Sequence, residues 1–176
     1  MTGLFSLSGC DTNSMDDRII LTFTFSADRS GDPIRFSFSS DDVQSGELRT
    51  ISCNCLLDIG PFLSSRSFSK AELLEARVTS VRLKSFFPIG QQLDFLHEVE
   101  LVLDENGTGA VTVAEDDTFP SSREIALSVF QGRSISALLV RPQFSVDLRI
   151  DPSNVTPDTQ YELGIDMTIE LELEGF

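Results

Sequence analysis

"YELGIDMTIELEL", residues 161–173, alternates without a break. Tyr161, Leu163, Ile165, Met167, Ile169, Leu171 and Leu173 hold one set of positions, and mostly acidic residues hold the other. Successive side chains of a strand point to opposite faces, so this is a strand with one dry and one wet face. It is longer than the usual five or six residues. Two readings follow. It spans the core of its own chain, or it is donated to a neighbour, where backbone hydrogen bonds supply affinity and alternate side chains fill pockets.

The same period recurs along the chain. Leu21, Phe23 and Phe25 share a face opposite Ile20, Thr22 and Thr24. Ile34, Phe36 and Phe38 form another row, and Val99, Leu101 and Leu103 a third. Val111 with Val113, Ile125 with Leu127 and Val129, and Phe144 with Val146, Leu148 and Ile150 complete the set. The rows place Phe23, Phe36, Leu101, Val113, Leu127, Val146, Ile165 and Ile169 in the core. Turn-forming residues separate the rows: residues 26–33, the Asn106-Gly107 pair inside 104–109, and the Pro- and Asp-rich stretch 151–160. Ser69-x-x-Glu72 is a capping box and predicts a short helix ahead of Leu73 and Leu74. The apolar phase slips between Val78 and Val81, as at a β-bulge. Residues 133–140 read as a second helical turn before Pro142. The sum is an all-β chain: an antiparallel β-sandwich, Ig-like or jelly-roll-like, of seven to nine strands with one or two short helices. No repeat and no linker divides residues 18–176, which read as one domain.

Twenty-eight acids against thirteen bases give a net charge of −15. Phosphate backbones must be neutralised by Lys and Arg, so no nucleic-acid partner is expected. Apolar residues make up 40% of the chain, enough for a core. The one histidine, His97, reads as a strand-edge residue and not as a catalyst. Cys53 and Cys55 read as small buried thiols; a metal site would need further ligands. Asn154-Val155-Thr156 matches a glycosylation sequon. Neither catalytic residues, a metal site nor a cofactor is expected.

Leu7-Ser8-Gly9-Cys10 resembles the lipobox of bacterial lipoproteins. The resemblance implies cleavage before Cys10 and lipid attachment there, with small residues admitting the peptide to the protease. Several lipid chains, at about 0.8 kcal/mol per buried methylene, make a durable anchor. Only nine residues precede Cys10 and none is basic, so a full signal peptide would begin further upstream. Residues 1–17 are then a signal remnant, lipobox and polar tether, and the address is the periplasmic or extracellular face of the envelope. Without the lipobox, a cytoplasmic address remains. Residues 67–103, with a helix-to-strand passage and a "DFL" turn, also resemble uncharacterised surface lipoproteins of Bacteroidetes-like bacteria.

Three functions follow as expectations. The first is a non-enzymatic binding, structural or accessory module, anchored at Cys10, whose partner is a protein or a glycan. The second is a carboxylate-dependent hydrolase using acids such as Asp41, Asp42, Asp116, Asp117, Glu170, Glu172 and Glu174; it needs two carboxyls facing one cleft. The third is a calcium-dependent adhesion domain built on loops 28–32, 104–109 and 115–117. An extracellular assembly using strand exchange extends the first.

Overall fold

The computed structural model describes residues 18–28, 34–53, 55, 57–104, 109–141 and 144–175. Two antiparallel five-stranded sheets pack face to face. Strands β1 (Arg18–Phe25), β2 (Arg35–Ser39), β4 (Leu73–Phe87), β7 (Glu124–Ala126) and β10 (Gln160–Glu174) form one sheet. Strands β3 (Arg49–Ser52), β5 (Leu96–Leu103), β6 (Val111–Asp116), β8 (Ser128–Val129) and β9 (Val146–Pro152) form the other, in the order β3-β9-β5-β6-β8. Helices α1 (Gly60–Ser64) and α2 (Ser136–Leu139) are one turn each.

The C-terminal stretch is the spine of its sheet. β10 pairs with β4 along one flank. On the other flank it pairs with β2 through residues 160–164 and with β1 through 167–174. Both flanks are occupied by the chain's own strands, so the first reading of residues 161–173 holds. All seven apolar side chains from Tyr161 to Leu173 are buried. They meet Phe36, Val81, Leu101, Leu148 and their neighbours in one cluster that joins the sheets. Tyr161 stacks on Phe38 at 5.3 Å, and its hydroxyl accepts a 2.8 Å hydrogen bond from the Thr156 N–H.

Of the eight residues expected in the core, seven are buried and Phe23 is half-buried. The phase slip is a bulge: Thr168 pairs with Ser80 and Ile169 with Val78, leaving Thr79 as the extra residue. Three expectations are corrected. The capping box at Ser69 and Glu72 forms, but it closes only a 3-10 turn, Lys70–Glu72, and the chain enters β4 at Leu73. Burial at Ala76, Val78, Val81, Leu83 and Ser85, against β10, outweighs local helix propensity. Residues 124–129, read as one strand, are split between the sheets at Leu127, which raises the number of strands among the described residues to ten. Cys53 and Cys55 are joined in a disulfide. The chain leaves β3 at Ser52, and their Cα atoms lie 5.1 Å apart, closer than the roughly 6.5 Å of alternate strand residues. The "DFL" turn is a 3-10 turn, Leu93–Phe95. No helix among the described residues is long and apolar enough to cross a membrane.

Candidate functional site

A sheet edge offers unpaired N–H and C=O groups, and proteins usually blunt it with short strands, charges, Pro or bulges. Four of the outer strands here are short. β7 has three residues, β8 two, β3 four and β2 five. β1 differs. It has eight residues, RIILTFTF, with no Pro, Gly, Lys or acid, and its register against β10 runs from Arg18 to Phe25 without a shift. Among the described residues nothing pairs with its other flank.

The inward row of β1 is Ile19, Leu21, Phe23 and Phe25; only Phe25 is fully buried, the others being half-covered. The outward row begins with Arg18 and continues with Ile20, 64% exposed, Thr22 and Thr24. A groove of about 520 Å³ opens beside the middle of the strand, between Phe23 and Pro61 and Phe62 of α1. The Phe23 and Phe62 ring centres are 4.4 Å apart, and Phe23 meets Phe25 edge-on at 4.7 Å. The Arg66 guanidinium lies 4.0 Å above the Phe62 ring. Pro61, in the first turn of α1, suits a helix start because its missing N–H would have no partner there.

Asp58 closes the groove. Burial raises its carboxyl, but Lys70 at 2.6 Å and the Gly60 N–H at 2.8 Å outweigh that and hold it below the usual aspartate value. Lys70 also donates to the Arg141 carbonyl. These bonds fix the loop that presents Phe62.

At the far end of β10 a second polar knot pins the turn that follows β1. Lys84 is held between Asp166 and Asp28, 2.7 Å from each, and both acids push its ionisation upward. Burial pulls Asp166 up, yet Lys84, the Ala27 N–H and the Ser26 hydroxyl together hold it below its ordinary value. Glu75 is also lowered, chiefly by its hydrogen bond from Arg77. Among the described residues, the carboxyls with displaced ionisation, Asp58, Glu75 and Asp166, are all moved downward by cationic or N–H neighbours.

Of the acids named for a hydrolase, Asp116 and Asp117 share one hollow and the others lie elsewhere. Asp41 and Asp42 open a 3-10 turn, where the Asp42 carboxylate accepts from the Ser39 N–H at 2.8 Å. Glu170, Glu172 and Glu174 point outward from β10, and Glu172 pairs with Arg18. Asp116 and Asp117 line a separate hollow of about 240 Å³ with Glu98, Glu115 and Ser128. No group of three or more His, Cys, Asp or Glu among the described residues is placed to hold a metal. Of the loops named for calcium, residues 29–32 and 105–108 lie outside the described residues, as do Asn106-Gly107, Pro142 and the lipobox with Cys10. Asp104 is paired with Arg141. His97 is exposed and sits at a register shift, skipped between the Leu96–Pro152 and Glu98–Asp151 pairs. Asn154 is exposed on a loop.

Sequence reasoning missed the groove. Nothing in the sequence pattern told that α1 would form and stand against β1. It also missed Asp147, fully buried on β9 with Oδ1 unpartnered among the described residues and Oδ2 3.4 Å from the Ser145 hydroxyl.

Fold and site together define an antiparallel β-sandwich with one long edge left unpaired among the described residues. No family model and no curated protein matches the chain. Solved structures similar to the chain include two of infectious bursal disease virus. The infectious bursal disease virus VP2 subviral particle shares 15% identity at a TM-score of 0.39, over 99% of this chain and 37% of that one. The structure of the infectious bursal disease virus Gx strain shares 15% at 0.40, over 100% and 37%. The chain thus spans little more than a third of the chains it resembles.

Proposed function

We propose that this chain is a non-enzymatic interaction module of the cell envelope, tethered by lipid at Cys10, that takes a protein partner along the open edge of β1. The observation that carries the reading is that edge: eight unbulged residues with a half-covered apolar row, beside a groove where Phe23 and Phe62 meet polar side chains such as Asp58 and Arg66. Strand addition to such an edge is a recurrent mode of peptide recognition. The tether fits the same picture. β1 starts at Arg18, so residues 11–17 separate the anchor from the binding strand, a reach of up to about 25 Å.

Fractionation of the native host tests the anchor. The chain is expected in the membrane fraction, and Cys10→Ser is expected to move it to the soluble fraction. Unchanged membrane association of the variant, or a native chain that keeps Met1 as its N-terminus, contradicts it.

A further inference from the structure

The edge of β1 has a chemical polarity that selects its partner. None of the chain's 28 acids lies in β1 or α1. One strand further in, on the outward face, the picture reverses. Glu170, Glu172 and Glu174 of β10 stand opposite Thr22, Ile20 and Arg18. Glu75 of β4 lies beyond them, opposite Glu172. Beside these glutamates stand Arg18, paired with Glu172, and Arg77, 2.7 Å from Glu75, while Arg82 and Lys84 lie further along β4, paired with Glu124 and with Asp28 and Asp166. At this end of the face four carboxylates therefore meet two guanidinium groups, and the chain as a whole carries −15.

A strand added outside β1 lies about 9.5 Å from β10, two strand spacings away. Ile20, Thr22 and Thr24 are too short to fill that gap with charge. A Lys or Arg stem from the added strand crosses them and brings its cation to the glutamate row, with its methylenes on Ile20. On the inward side the added strand must cover the half-buried Ile19, Leu21 and Phe23, which asks for apolar residues.

We infer that the partner of β1 is an extended polypeptide segment that alternates apolar residues, turned inward, with basic residues, turned outward. This rests on the reading of β1 as the binding edge. A second copy of the chain fits poorly. Its own outward row supplies one cation, Arg18, and it brings another fifteen negative charges to the contact.

The probes are three ten-residue peptides: one alternating Val and Lys, one alternating Val and Glu, and one with the Val/Lys composition in two blocks. Binding is measured by fluorescence anisotropy, and the site by amide shifts in the full chain. The alternating Val/Lys peptide is expected to bind at least tenfold tighter than the other two, to shift residues 18–25, and to weaken as salt rises. Ile20 is exposed, so its variants fold. Ile20→Glu is expected to tighten this binding several-fold, and Ile20→Lys to weaken it several-fold.

Equal binding of the alternating and blocked Val/Lys peptides overturns the inference, because attraction would then need no strand. Preference for Val/Glu, with shifts still at 18–25, overturns the charge assignment and leaves the edge reading standing. No shift at 18–25 with any peptide overturns both. Self-association in sedimentation, without peptide binding, assigns the edge to a second copy and also overturns the inference.

Discussion

A chain ending at Gln160 does not fold. β10 supplies pairing to β1, β2 and β4, and without it their sheet has no centre. Its seven buried apolar side chains, at about 1.5–3 kcal/mol each, contribute roughly 10–20 kcal/mol. That meets or exceeds the whole net stability of an ordinary domain, about 5–15 kcal/mol. Circular dichroism and sedimentation of the truncated protein are expected to show a disordered or aggregated chain. A truncated protein that stays a folded monomer would mean that residues 161–176 are not the spine of the sheet.

Gly164→Val is expected to cost about 3 kcal/mol or more in urea unfolding. Gly164 faces outward from β10, but it is buried under the turn after β1. A Cβ there would lie 2.4 Å from a ring carbon of Phe86 and 2.6 Å from the Cβ of Ala27. Phe86 has little freedom to turn aside, with the Arg35 guanidinium 4.0 Å above its ring. Ala27 has no rotamer to change. Its N–H is bound to Asp166 at 2.8 Å and its carbonyl accepts from Arg35 at 3.1 Å. The backbone itself has to move, and with it the Asp28–Lys84–Asp166 knot. A change below about 0.5 kcal/mol, the usual range of a neutral surface substitution, would contradict this packing.

The strands were legible because each carries its own period. The row from Tyr161 to Leu173 announces a two-faced strand wherever it sits, and the slip between Val78 and Val81 announces its bulge. Pairing is different, since it belongs to two segments at once. Nothing in RIILTFTF says that one flank meets β10 and the other meets no strand among the described residues. Nothing in Glu124–Val129 says that the chain changes sheets at Leu127. Local signals also misled where long-range contacts were stronger. The capping box at Ser69 is real, but it begins a single turn because Ala76 and Val78 are worth more against β10 than inside a helix. Cys53 and Cys55 read as thiols, but the strand ends at Ser52 and the chain beyond it brings them together. Gly164 looked like one small residue on a polar face; only the fold brings Ala27 and Phe86 over it.

The open edge is the feature on which the functional account turns, and residue-resolved amide hydrogen exchange addresses it directly. In an antiparallel pair, every second N–H of an edge strand points away from its neighbour. Along residues 18–25 the account predicts alternating slow and fast exchange, while residues 161–173 exchange slowly throughout, near the limit set by global unfolding. Uniform slow exchange along residues 18–25 would show that the edge of β1 is already covered, and would contradict its role as the binding surface.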